Sequence, residues 1–318
     1  MSPGLPHGRR RALALGVLVL AALVLLPAAA WAWAPGTHIF LGESVLSALA
    51  QLPSSVADLL RAFPYDFLYG NIAADTSIAK KYAPAGRHCH SWAVGLEIFE
   101  RAPEGPLRAF GLGYLSHLAA DAVAHNFFVP RYLALASRTS GLGHSYWESR
   151  FEMHLGGGYS RRARDVILQD HSRSDTHLDR ILSPTIFSTQ TGRRIFRGMV
   201  HVIDSESWQR VFQLAADASR WDLSDPEVGR YMERSYDYVM DFLSRVERSE
   251  PYALDPAGDV ALRRALEVRR GARASGMEFR LAEEAVREFA MPDSMLTFAS
   301  GLKPPLYAPV REARSASN

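Results

Sequence analysis

Between about residues 105 and 128 the chain is apolar at nearly every position, and the exceptions are regularly spaced. His117, Asp121 and His125 stand at i, i+4 and i+8. No proline or glycine separates them, and Ala and Leu, both strong helix formers, fill most of the gaps. The pattern predicts a long helix over residues 107–128 that stops before Pro130. Residues four apart share a helix face, so the three polar side chains project roughly one way. Leu115, Leu118, Ala119, Ala122 and Val123 make the remainder apolar, which turns the polar stripe toward protein or a cleft.

The same reading predicts helices elsewhere. Pro35 and Gly36 read as a turn and Thr37 as an N-cap, followed by a helix over 39–52 with His38 in its first turn. Residues 54–62 read as a short helix, 67–77 as a helix end passing into a loop, and 80–87, with Pro84 and Gly86, as loop. An amphipathic helix follows Trp92 to about residue 101. A second ligand pair, His144-x-x-x-Glu148, marks another helix, and Gly156 to Gly158 break the chain after it. Further helices are predicted near 162–169, 191–203, 206–216, 226–247 and 260–290, the last weakened at Gly271 and Gly276. Strand signals are scarce and neither an internal repeat nor a heptad run is visible, so the class is all-α.

A histidine on an apolar helix is ordinarily a hydrogen-bonded core residue, and an exposed Glu such as Glu148 often pairs with a surface base. Three polar side chains in i+4 register, answered by a second helix with the same spacing, change that balance. Buried imidazoles and carboxylates need compensation, and a metal ion supplies it, because neutral His and ionised Asp or Glu both ligate zinc. Helical proteins build multinuclear sites in this way, from pairs on facing helices.

Composition narrows the setting. The net charge is +2, and Arg9, Arg10 and Arg11 precede an apolar run over 12–30, so the remainder carries +2 − 3 = −1. A near-neutral body speaks against non-specific nucleic-acid binding. The basic segment, the apolar run and the small-x-small pattern Ala30-Trp31-Ala32 form an export signal cleaved before Trp33. The alternative is a retained anchor, the run being close to the length that spans a bilayer. Cys89 is the sole cysteine, which rules out an intramolecular disulfide. It lies between His88 and His90 and is either a soft zinc ligand or a small buried thiol. The expected organisation is a leader or anchor over 1–32, a metal-binding helical core over 33–155, a helical continuation or extension over 156–300, and a flexible tail over 301–318.

Taken in order, Trp33 with Thr37-His38, Asp75 in a loop, His88 or His90, His117-x-x-x-Asp121-x-x-x-His125 and His144-x-x-x-Glu148 resemble the zinc-dependent phospholipase C family. That family is all-α and related to the zinc-dependent single-strand nucleases. The resemblance covers residues 33–148 and implies a phospholipase C/nuclease-like domain with additional C-terminal helices. It also implies two to three Zn²⁺ ions and hydrolysis of the phosphate ester of a phospholipid at a membrane surface, with no nucleic-acid partner expected. His38 would bind one ion beside the amino nitrogen and carbonyl of a mature Trp33. Asp75, His117 and one of His88 or His90 would hold a second. Asp121 would bridge two ions, and His125, His144 and Glu148 would hold the third. Asp75 would also be the catalytic base. The sequence departs from the secreted members in two spacings: Trp33 is closer to its Thr-His pair, and Asp121 is closer to His125. No strand-rich C-terminal lipid-binding domain is visible. Two other functions compete: a related zinc nuclease or phosphoesterase, and a non-catalytic, metal-stabilised envelope protein.

Overall fold

The computed structural model describes residues 33–77, 87–136, 140–182, 188–217, 219 and 221–302. The predicted leader over 1–32, nearly all of the 80–87 loop and the tail from 303 onward lie outside the described residues. Among the described residues every regular element is helical and none is a strand, so the fold is all-α. None of these helices is long and apolar enough to cross a membrane.

The order is α1 (Pro35–Ser47), α2 (Ser54–Ala62), α3 (Pro64–Ala73) with a 3-10 turn (Ala74–Thr76), α4 (Trp92–Glu100) and α5 (Gly105–Val123). A π turn (Ala124–Phe128) joins α5 to α6 (Val129–Ala136). There follow α7 (Ser140–Met153), α8 (Gly157–Ile167), α9 (Ser172–Asp179), α10 (Thr189–Ile203), α11 (Glu206–Asp217), α12 (Asp225–Arg245), α13 (Asp259–Ala274) and α14 (Leu281–Glu288). Helix α5 is the axis. It is buried on every side from Ala109 to Val123, as expected of a helix that is apolar all round. Helices α3, α4 and α12 pack against it. One hydrophobic core extends from Trp33 to Phe289 and draws on both halves of the chain.

The closest crossing is α3 on α5, and two glycines permit it. A Cβ on Gly70 would lie 2.2 Å from the Phe110 carbonyl oxygen, and one on Gly113 would lie 2.1 Å from that of Phe67. The two backbones are therefore in direct contact. This contact carries the end of α3, with Asn71 and then Asp75, against the His117 segment of α5.

Three local expectations are corrected. First, α1 begins at Pro35 rather than after Thr37, and Thr37 lies inside the first turn without capping it. Proline suits that first position because its ring presets φ and its missing N–H would be unpaired there anyway. Second, the central helix does not stop before Pro130. A proline inside a helix clashes with the carbonyl four residues back, here that of Asn126. The π turn over Ala124–Phe128 widens the helix at that carbonyl, and the chain runs on to Ala136. The 260–290 stretch is two helices, split as its weak glycines allowed, with the break at Gly276, φ +69°. Third, α9 was not foreseen. Its segment is mostly polar and buries only Ser174, His177 and Leu178, so its periodicity is faint. His177 Nε2 bonds the Ile98 carbonyl at 2.8 Å and pins it in place.

Gly113→Ala is expected to cost about 1–3 kcal/mol, the scale of an overpacked contact that backbone atoms must relieve. The urea unfolding midpoint of the variant against wild type measures it. A midpoint unchanged within error would mean that the two helices do not need to touch.

Candidate metal centre

Six elements deliver the polar residues to one buried region. His38 comes from the first turn of α1, Asp75 from the 3-10 turn after α3, and His90 from the segment before α4. His117 and Asp121 come from α5, His125 from the π turn, and His144 and Glu148 from α7. None of the eight is more than 2 % exposed.

Asp121 is at the middle. Its Oδ1 lies 3.2 Å from His38 Nε2, and its Oδ2 lies 3.0 Å from His90 Nε2 and 3.0 Å from His117 Nε2. His90 Nε2 and His117 Nε2 are 3.0 Å apart. Asp75 Oδ1 stands 3.4 Å from His90 Nε2 and 4.0 Å from His117 Nε2. The His38 and His117 rings stack at 3.9 Å. At the other end, His125 Nε2 meets His144 Nε2 at 3.1 Å, and His144 Nε2 meets Glu148 Oε1 at 2.5 Å. The donor atoms fall into four compact groups: His88 with Cys89 and His90, His38 with Asp75 and His117, His90 with His117 and Asp121, and His125 with His144 and Glu148.

The chemistry of these donors fits metal ions. His117 Nδ1 faces the Asn71 carbonyl at 2.8 Å and His125 Nδ1 faces the Pro256 carbonyl. A nitrogen facing a carbonyl must carry the proton, so in each neutral ring Nε2 is the bare acceptor. His117 Nε2 therefore points a lone pair at the oxygens of Asp121 and Asp75, a repulsive arrangement unless a cation lies among them. One proton could serve one such contact but not the whole set. Tetrahedral zinc with Zn–N of 2.0–2.1 Å separates two nitrogen donors by about 3.3–3.4 Å, close to the separations found here. Bonding of the second ring nitrogen to a carbonyl is also how ligating histidines are ordinarily oriented.

Burial, and then the neighbouring His117, lower the His38 pKa, which favours the neutral, ligating imidazole. Burial alone would raise the Asp121 carboxyl, but His117, His38 and His90 outweigh it and hold it well below the usual carboxylate range. The Tyr114 phenol donates to the Cys89 carbonyl at 2.7 Å. Burial, with Cys89, Asp75 and Asp121 nearby, pushes its pKa well up and keeps it protonated.

The three side chains on one helix do not converge on one point. Residues i and i+8 are about 12 Å apart along the axis at 1.5 Å per residue. His117 and Asp121 meet α1, α3 and the chain before α4, whereas His125 meets α7. The π turn at His125 fits the frequent occurrence of such turns at functional sites.

His90 makes the ring contacts with His117 and Asp121. His88 is half-buried, and its Nδ1 accepts the His90 backbone N–H at 3.1 Å. Cys89 is buried, with Sγ 3.3 Å from His90 Nδ1, and with His88 and His90 forms a compact group at the edge of the Asp121 cluster. Trp33 is held by its side chain. The indole Nε1 donates to the Ala120 carbonyl at 3.1 Å, and the ring packs on Phe151 and Phe128.

Several supporting residues escaped the sequence reading. Asn71 and Pro256 orient ligand rings through backbone carbonyls, which leave no side-chain signal. Gly258, at φ +62°, lets the Pro256 turn press on His125, since a Cβ there would lie 2.4 Å from the His125 carbonyl oxygen. The turn itself was readable in Asp255-Pro-Ala-Gly258, its partner 131 residues away was not. Glu152 is buried against Gly36 and Thr37.

Residues 37–194 match the family model described as zinc dependent phospholipase C, and the chain belongs to that family. Membership supports phospholipid hydrolase function and zinc dependence. No curated protein and no solved structure matches the chain.

Purified protein is expected to hold more than one zinc after mild dialysis, and to lose thermal stability when a chelator removes it. Metal analysis paired with melting curves measures both. Near-zero zinc together with an unchanged melt in chelator would rule the centre out.

Proposed function

We propose that the protein is an exported zinc phosphodiesterase that hydrolyses phospholipid by C-type cleavage, releasing diacylglycerol and a phosphorylated head group. The observation that carries this reading is Asp121, a fully buried carboxylate whose two oxygens face His38 on one side and His90 with His117 on the other. Such a carboxylate suits a bridge between two cations. On this reading Asp75, His90 and His117 hold one ion, and His38 a neighbouring one with the main chain of a mature Trp33. His125, His144 and Glu148 hold the third. Zinc bound there would lower the pKa of water toward neutrality and offset charge on the phosphoryl oxygens and the leaving alkoxide.

The chain's own residues do the rest. Asp75 Oδ1, beside the His90 and His117 ring nitrogens, is the oxygen we assign to take up the proton of the attacking water. The Asn71 and Pro256 carbonyls hold His117 and His125 in the tautomer whose Nε2 lone pair would ligate the metal. Family membership favours phospholipid over nucleic acid as the substrate.

Asp121→Asn keeps the shape and removes the charge. It is expected to reduce zinc content and phosphodiester hydrolysis together, hydrolysis by about 100-fold or more, the scale on which transition-state charge stabilisation is lost. Helix content by circular dichroism should change little. Asp58→Asn, on the exposed face of α2, is the control. The assay is release of phosphocholine or phosphoethanolamine from short-chain lipid, run beside single-stranded nucleic acid. Nucleic acid cut with lipid untouched would favour the nuclease. No turnover of either by zinc-loaded wild type would leave a metal-stabilised envelope protein.

The basic segment, the apolar run and Ala30-Trp31-Ala32 support export with cleavage before Trp33. The intact mass of protein from the cell envelope is expected to begin at Trp33. A mass retaining residues 1–32 would point to an anchor and remove the free amino group proposed to join His38.

A further inference from the structure

Helix α1 brings His38 to the metal centre, yet it has no side-chain cap of its own. Ala34 stands at the cap position and Pro35 follows it. The first N–H groups of a helix lack the regular partner four residues back; Thr37 N reaches the Ala34 carbonyl at 2.9 Å, while the Gly36 N–H is buried where an unpaired N–H is costly. A residue from another helix supplies the acceptor. Glu152 Oε2 accepts from Gly36 N at 2.6 Å and from Thr37 N at 3.2 Å. Its Oε1 accepts from Ser160 Oγ of α8 at 2.5 Å. Glu152 lies one helical turn beyond Glu148 on α7, and the amides it holds lie one and two residues before His38 on α1. One carboxylate thus ties the His38 helix to the His144/Glu148 helix.

We propose that Glu152 is a positioning residue for the metal centre: by capping α1 from α7, it fixes how far His38 stands from the His144 and Glu148 end of the ligand array. The contact is built into both sides. Gly36 leaves the carboxylate its room, because a Cβ there would lie 2.7 Å from the Glu152 carboxyl carbon and push it aside. An acidic group at a helix N-terminus is also favoured by the helix dipole. Burial leaves the Glu152 carboxyl above its ordinary pKa, opposed by the hydrogen bonds from Ser160 and the Gly36 and Thr37 amides. Glu152 is absent from all four donor groups, so its effect on the metal must pass through the helix it holds.

The proposal rests on the metal reading of the site, and the experiment separates the two. Cobalt(II) replaces zinc in the full mature chain, because its visible absorption reports ligand geometry directly. Wild type is expected to show the absorption of nitrogen- and oxygen-ligated cobalt. Glu152→Gln, which removes the negative charge from the α1 N-terminus and sets an NH2 group against either the two amides or Ser160 Oγ, is expected to change that spectrum. It should also weaken the affinity of one ion by about 10–100-fold, the usual effect of losing a group that orients ligands. Gly36→Ala, which displaces the carboxylate without touching its charge, should weaken the same ion. Ser160→Ala, which leaves both amide bonds in place, should give a smaller loss in the same direction. Should Glu152→Gln not fold, the glycine and serine variants carry the test. At saturating zinc, lipid hydrolysis by the variants should lose kcat with KM little changed. A variant that melts earlier yet keeps the wild-type cobalt spectrum and metal affinity would overturn the proposal and leave Glu152 a stability cap. Absence of cobalt binding by wild type would overturn the metal reading, and this inference with it.

Discussion

The structure depends on one constraint: Asp121 is ionised and wholly buried in a helix that is buried on every side from Ala109 to Val123. Removing a carboxylate from water costs several kcal/mol even after the surroundings relax, and α5 offers nothing along its own length to repay that except His117 and His125. Compensation has to come from other elements. The fold brings it from three directions: His38 on α1, Asp75 after α3, and His90 before α4. Two of these are imidazoles and one is another carboxylate. Adding a second negative charge to a dry site worsens the imbalance unless cations are bound there. The composition of the cluster therefore argues for metal more strongly than the spacing of any one pair, because a core stabilised by hydrogen bonds alone would have no use for Asp75.

Close backbone approach is what makes the convergence possible. Gly70 and Gly113 let α3 and α5 touch, which places the Asn71 carbonyl within reach of His117. Gly258 does the same for the Pro256 turn and His125. In both cases a ligand ring is aimed by a carbonyl rather than by a side chain. A carbonyl on a helix end or a tight turn has no rotamers, so it holds the imbalanced set of acceptors in place without yielding. The same rigidity selects the tautomer that leaves Nε2 available.

What the sequence revealed was the part of the site carried by local periodicity. His117 with Asp121, and His144 with Glu148, are in contact because four-residue spacing on a helix brings side chains together. The all-α class followed from the same periodicity. Periodicity says nothing about partners across the fold. It left His88 and His90 as alternatives, since adjacent histidines of a loop differ only in which way the tertiary structure turns them. It ended α5 at Pro130 because the rule for proline assumes a regular α-helix, and a π turn has no clear signature in the sequence. It gave Glu152 no role, because the acceptor of a cap normally sits beside the helix it caps and this one lies more than a hundred residues away. His171 and His177 mark the opposite limit. They bond the Val166 and Ile98 carbonyls and, as structural histidines, leave the metal groups to the others.

The geometry of α5 also determines what kind of centre the chain can build. Ligands at i, i+4 and i+8 lie on one face but climb about 12 Å, too far for a single ion and suited to a row. A row needs its ends defined by elements other than the central helix, since α5 fixes only the positions of its own side chains. One end is set by α1 through His38 and the other by α7 through His144 and Glu148. The separation of the ends is then a property of how α1 sits on α7, and the shortest polar link between those two helices runs through Glu152. A rigid central helix and one buried carboxylate between the flanking helices together hold the array to its length, which is the dimension a phosphodiester with separate attacking and leaving oxygens would have to match.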